Sequence, residues 1–182
     1  MCVSYSIHRF SKLQIFMTTY YHYYKSPVGK LLLVGDGLNL NALGFPYGKM
    51  KRKSEVAWIK DGSTFKNIVD QLEAFFAGER KSFDLNLSVM GTPFRKSVWS
   101  ALMDIPYGET WSYSELANHI GRPNACRAVG SANGMNPIPI IIPCHRVIGS
   151  NGSLTGFGGG LKTKKFLLEL ESKYNRVVKI GE

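Results

Sequence analysis

The chain has 182 residues, 44% of them hydrophobic, enough to build a core and to exclude global disorder. Lys and Arg number 23 against 13 Asp and Glu, and the formal charge of +10 points to a polyanion: nucleic acid or an anionic membrane surface. No apolar run is long enough to span a bilayer, the 3 cysteines are too few and too irregular for a disulfide framework, and neither Cys-x-x-Cys nor His-x-x-x-His occurs to suggest zinc.

At the start, His8, Arg9 and Lys12 interrupt any signal-peptide core, so the chain reads as cytoplasmic. Met17 offers an alternative start, and residues 1–17 read as a disordered extension. Tyr20 to Tyr24 predicts a strand, Leu31 to Val34 a second, and Leu38 to Phe45 a third after the turn Gly35-Asp36-Gly37. These make an antiparallel meander, followed by a basic loop over Gly48 to Arg52. Phe65, Ile68, Val69, Leu72, Phe75 and Phe76 share one helical face; Ser63 or Thr64 is the expected cap and Gly78 the expected end. Phe83, Leu85 and Leu87 alternate with polar residues and predict one more strand. Residues 18–90 thus read as a small α+β domain and 91–182 as a second, mostly helical one.

In the second domain, Thr92 or Pro93 opens a helix carrying Phe94, Val98, Trp99, Leu102 and Met103. Ser112 or Ser114 caps the next, Tyr113 to Ile120, and after Gly121-Arg122-Pro123-Asn124 another helix covers Ala125 to Asn133. Two helices about a short Gly-containing turn match a helix-turn-helix, a pattern that packed helix pairs in any helical domain also share. Arg127 sits there among small residues that allow close approach to a groove, while Cys126 reads as packed rather than reactive. The apolar run Ile138 to Ile142 leads to Pro143-Cys144-His145-Arg146, then to a Gly-rich loop, Gly149 to Gly160, and a last helix, Leu161 to Lys173.

Cys144 beside His145 is the candidate reactive pair. A thiol must lose its proton to attack carbon, and an adjacent base achieves this. The base needs a third group to orient it. Glu171 is the best-placed carboxylate, although periodicity alone favours an ordinary surface residue.

The stretch Pro143-Cys144-His145-Arg146-Val147-Ile148 resembles the signature of the O6-alkylguanine-DNA alkyltransferases. Gly108-Glu109-Thr110-Trp111-Ser112-Tyr113, Arg127-Ala128-Val129-Gly130, Asn136-Pro137-Ile138-Pro139-Ile140 and Gly159-Gly160-Leu161 follow in family order. Ser26-Pro27-Val28-Gly29 resembles the first domain more weakly. The resemblance implies a ribonuclease H-like α+β domain followed by a winged-helix-like domain with the helix-turn-helix. It implies stoichiometric alkyl transfer from O6 of guanine, with O4-alkylthymine a further candidate substrate, in double-stranded DNA. Some relatives bind zinc in the first domain, but no matching Cys and His set occurs in this sequence, so no metal is expected; a monomer without cofactor is the default expectation.

By the same resemblance, Cys144 is the acceptor, His145 its base through a water, and Glu171 the residue orienting His145. Tyr113 offers its phenol to N3 of guanine, Arg127 fills the gap left by the extruded base, and Asn136 ties the recognition helix to the active-site turn. Ala128 and Ser131 join Arg127 on the DNA-facing side. Val147, Phe157, Gly158 and Gly159 wall the pocket; the carbonyls of Cys144 and Val147 read the guanine amino group, and the Gly158 amide donates to O6. Phe157 and Gly158 stand where some relatives have Tyr and Ser, which implies a lid open to bulkier groups. The alternatives are an alkyltransferase-like protein that binds lesions without transfer, a transcription regulator, and a Cys–His hydrolase. The first usually replaces the acceptor, and the last would need no DNA-docking helix.

Overall fold

The structure is a computed structural model and describes residues 18–175, so the expected extension over residues 1–17 lies outside the described residues. β1 (Tyr20–Ser26) and β2 (Gly29–Gly35) form a hairpin with Ser26 opposite Gly29. Its turn needs a left-handed residue, and Gly29 supplies it at φ 103. Ser26 Oγ donates to the Gly29 carbonyl at 2.7 Å and accepts from the Val28 amide at 3.2 Å. β3 (Leu40–Gly44) pairs antiparallel with β2, completing the expected meander. It starts later than Leu38 because Asp36 Oδ1 accepts the amides of Leu38 and Asn39, at 2.9 and 2.8 Å, and curls the chain first. A fourth strand, β4 (Ile59–Lys60), pairs parallel with β1 and gives the order β3-β2-β1-β4. Two residues carry no periodicity, so the sequence does not announce it.

The apolar run in β2 is explained by two covered faces. Leu31 and Leu33 enter the main core, whereas Leu32 and Val34, with Ala42, pack under Tyr21, Tyr23 and Trp58. α1 (Lys66–Ala77) lays Leu72 and Phe75 into the main core and ends at Gly78, φ 80. The expected cap from Ser63 or Thr64 does not form: both hydroxyls donate to the Asp61 carboxylate at 2.6 Å, leaving Phe65 at the cap position without a side-chain bond. The expected strand through Phe83, Leu85 and Leu87 is also absent. Phe83, Leu85 and Leu87 are half-buried between exposed neighbours, but the segment makes only one isolated bridge, Leu40 to Leu87. Gln71 holds both the amide and the carbonyl of Asp84, at 2.9 and 2.8 Å, and so draws that backbone away from a ladder.

From Thr92 the chain is helical. Thr92 caps α2 (Pro93–Leu102), with Pro93 in the first turn where its missing N–H costs nothing. β5 (Trp111–Ser112) leads into α3 (Tyr113–His119), which Ser112 and Glu115 close with a reciprocal capping box. A 3-10 turn, Pro123–Ala125, enters α4 (Cys126–Gly134), one residue later than expected. Trp99 Nε1 on α2 donates to the Ala132 carbonyl at 2.8 Å and locks α2 to α4. β6 (Val147–Ile148) pairs parallel with β5. α5 (Leu161–Asn175) runs two residues beyond the expected end and packs back on the first domain, Phe166 against Phe76 at 6.5 Å. One buried cluster runs through both halves, including Leu43, Phe75, Tyr107, Ile141 and Leu167. Among the described residues no helix is long and apolar enough to cross a membrane.

Candidate active site

Ile138 to Ile142 is buried throughout and turns sharply. Ile140 adopts φ 77, a strained value for a β-branched residue. Asn136 holds the turn by donating Nδ2–H to the Ile142 carbonyl at 2.7 Å and accepting the Ile138 amide at 3.0 Å. A buried tight turn leaves backbone groups without regular partners, and a buried amide side chain supplies both a donor and an acceptor. The strain is thereby fixed immediately before Cys144.

Cys144 opens a single 3-10 turn, Cys144–Arg146, and is 4% exposed. Burial pushes its thiol up to about 11, opposed by the Asn136 side chain and the charge of Lys164. At rest it is therefore a neutral thiol. His145 is wholly buried, and its Nε2 lies 2.8 Å from Glu171 Oε1. Burial pushes the imidazole down, the Glu171 bond acting the other way, and we take the ring as neutral. A carboxylate only accepts, so Nε2 carries the proton and Nδ1 the lone pair. Nδ1 finds no protein partner among the described residues.

Glu171 corrects the periodicity reading, for it is not on the surface at all: its exposure is 0%. Arg146 approaches it in a fork, Nε at 2.9 Å from Oε2 and Nη2 at 3.0 Å from Oε1. Gly108, at φ 78, aims its amide at Oε2 from 2.9 Å. Burial alone would raise this carboxyl, but the hydrogen bonds from His145 and Arg146, with the guanidinium charge, hold it at about 2. Arg146 spends its Nη1 on the Ile105 carbonyl at 2.7 Å. The buried charges are thus paired and hydrogen-bonded, the condition under which they are tolerated.

Sequence reasoning quoted Arg146 without a role and missed Lys164 entirely. Lys164 is fully buried; its Nζ donates to the carbonyls of Val147 and Thr155, bridging the active-site turn and the Gly-rich loop. Burial lowers it to about 8. A usable signal existed: Lys164 and Glu171 lie three before and four after Leu167, on the buried stripe of α5.

The remaining expected residues divide by depth. Tyr113, at the start of α3, is half-buried and its hydroxyl accepts from Thr155 Oγ1 at 3.2 Å. Phe157 is buried, its ring 6.4 Å from that of His145; Gly158 and Gly159 follow it in the same loop. The carbonyl of Val147 already accepts Lys164, and that of Cys144 accepts Asn133 Nδ2 at 3.4 Å; each keeps a second lone pair. Arg127, Ala128 and Ser131 are exposed on one side of α4, opposite its buried Val129, Ala132 and Asn133. That side is cationic and otherwise small, a shape able to enter a groove. Cys126 is half-buried, its thiol directed at the Pro123 carbonyl at 3.6 Å.

The arrangement is a buried thiol followed by an oriented neutral imidazole, behind a small-residue helix face. Comparison with known proteins agrees with it. Residues 93–173 match the 6-O-methylguanine DNA methyltransferase DNA-binding domain, and residues 19–89 match that family's ribonuclease-like domain. A methylated-DNA–protein-cysteine methyltransferase of Methanosarcina acetivorans is 54% identical, the match covering 84% of this chain and 97% of that protein. One from Mycobacterium tuberculosis is 52% identical over 84% of this chain and 92% of its own length. The structure of M. tuberculosis OGT in complex with DNA superposes with a TM-score of 0.79 at 51% identity, covering 85% of this chain and 94% of that one. The chain belongs to the methylated-DNA–protein-cysteine methyltransferase family.

Proposed function

We infer that this protein repairs DNA by direct reversal, taking the alkyl group from O6 of an alkylated guanine onto Cys144 in a single turnover. The observation that carries the residue assignment is the His145–Glu171 bond at 2.8 Å, which leaves Nδ1 unprotonated and without a protein partner among the described residues, on the residue that follows the buried Cys144. In this reading a water passes the Cys144 proton to Nδ1. The thiolate attacks the alkyl carbon, the S–C bond forms as the C–O6 bond breaks, and the proton ends on the departing guanine. The thioether is stable, so nothing restores the thiol.

The substrate must be flipped from the stack, at a cost of about a few kcal/mol that a badly pairing lesion reduces. Arg127 on the exposed face of α4 fills the space left behind, with Ala128 and Ser131 against the backbone. Tyr113 donates to N3 of guanine, and Asn136 holds the turn that presents Cys144. Val147, Phe157, Gly158 and Gly159 wall the pocket. The division of labour falls at residue 90/91: 18–90 supports, and 91–182 binds DNA and accepts the alkyl group. The protein acts as a monomer without metal or cofactor. A cytoplasmic location suits an acceptor thiol that must stay reduced.

The test is intact mass after incubation with a duplex containing O6-methylguanine. One added methyl group on Cys144, complete at one equivalent and absent in Cys144→Ala, is the expected outcome. Lesion binding with no change in mass would instead assign the protein to the binders that do not transfer.

A further inference from the structure

We propose that Met50, on the loop Gly48–Arg52 of the N-terminal domain, is a specificity-determining residue: it props the lid wall at Gly158 and so sets which alkyl groups the pocket admits. The proposal rests on the reading above that Gly158 walls the pocket. The Met50 amide donates to the Gly158 carbonyl at 3.0 Å. A Cβ placed on Gly158 would lie 2.3 Å from Met50 Cγ and 2.8 Å from Met50 Cβ. The stem of Met50 thus fills the space that a side chain at 158 would take. In reverse, a Cβ on Gly48 would lie 2.4 Å from the Gly158 carbonyl oxygen. The loop and the lid meet only because each carries glycine at the contact.

The residues around this contact reinforce it. Phe45, just before the loop, meets the Phe157 ring edge-on at 5.5 Å, and a Cβ on Gly159 would fall 2.8 Å from the Phe45 ring. Within its own domain the lid is tied on either side of Gly158, at Thr155 through Lys164 Nζ at 2.7 Å and at Gly159 through Thr163 Oγ1 at 2.8 Å. Gly158 lies between these ties, and the N-terminal domain supplies its support. Lys49 and Lys51 are exposed on either side, whereas Met50 is half-buried. Met is unbranched and adaptable, so it tolerates small lid movements while limiting large ones.

The experiment measures single-turnover transfer from duplexes carrying O6-methylguanine or O6-benzylguanine, with Tm and the half-saturating protein concentration followed in parallel. Met50→Ala gives the lid room to retreat; the benzyl-to-methyl rate ratio rises about tenfold, the scale on which pocket size discriminates, with half-saturation unchanged. Gly158→Ala slows both reactions by pressing on Met50, and Met50→Gly in the same chain restores them. An unchanged ratio in Met50→Ala, or a Gly158→Ala defect equal in both backgrounds, overturns the proposal. Wild-type protein that gains no methyl group would overturn the functional reading itself, a result separable from wild-type transfer with an unmoved ratio.

Discussion

The exposed face of α4 and the buried cluster around Glu171 both carry positive charge, yet they are built on opposite principles. Arg127 stands in solvent among Ala128 and Ser131. Arg146, by contrast, is spent inside the protein, divided between Glu171 and the Ile105 carbonyl. A charge held for a partner is left free, and a charge held for geometry is satisfied at home. The two kinds of site should therefore fail differently when changed: the inner one through folding and chemistry together, the outer one through DNA alone.

The largest effect is expected from Glu171→Gln. It leaves the Arg146 guanidinium buried without a counter-charge, and breaking such a pair costs about 3–5 kcal/mol. For a chain of this size that lowers Tm by on the order of 10 °C, and transfer falls with it because His145 loses its orientation. Chemical denaturation and single-turnover transfer check both parts. Retained stability would mean that the guanidinium reaches water, dissolving the contrast.

Acid should act on the same cluster. Glu171 is held at about 2 against an ordinary 4.5, so its contribution is full above pH 4.5 and is lost as the pH falls toward 2. That contribution is on the order of 3 kcal/mol. The imidazole of His145 is pushed below its ordinary 6.5 by burial and works in the same direction, since the unfolded chain takes up its proton first as pH drops. Stability measured by denaturant should decline from about pH 6.5 downward through His145, and below about pH 4.5 more steeply than in Glu171→Gln, which lacks the second titrating group. Equal slopes would contradict the assignment.

Arg127→Ala should have the smallest effect on the fold, within about 0.5 kcal/mol, because the side chain is exposed. Transfer from duplex DNA should drop on the order of tenfold while transfer from the free O6-benzylguanine base is spared, since only the former requires extrusion. Comparing the two substrates in one variant reads the outer site without disturbing the inner one.

The same division explains what could be read in the sequence. The meander, α1 and the helix pair follow from local signals: alternation, a helical stripe, capping residues. Cys144 and His145 stand out because a thiol beside an imidazole follows a buried run. Lys164 does not stand out, and Glu171 does so only as the best-placed carboxylate, for charged residues on a helix look like solvated surface until the buried stripe is known. β4 is set by its partner β1, not by its own two residues. The strand expected at Phe83 to Leu87 fails for a related reason: alternation reports which side is buried, but Gln71 decides where the backbone bonds go.

The buried cluster that joins the two halves has a consequence for how the molecule comes apart. Phe75 meets Tyr107 at 6.1 Å, the Leu43 amide binds the Pro137 carbonyl at 2.9 Å, and the Phe76–Phe166 contact joins α1 to α5. With one buried cluster continuous through both halves, calorimetry should show one cooperative transition, its van't Hoff and calorimetric enthalpies equal. Amides in β2 and α4 should then exchange with solvent through the same global opening. The acceptor thiol would be sealed or exposed as one event with the whole chain, so that a weak spot anywhere in the supporting sheet shortens the working life of a reagent that can be used only once.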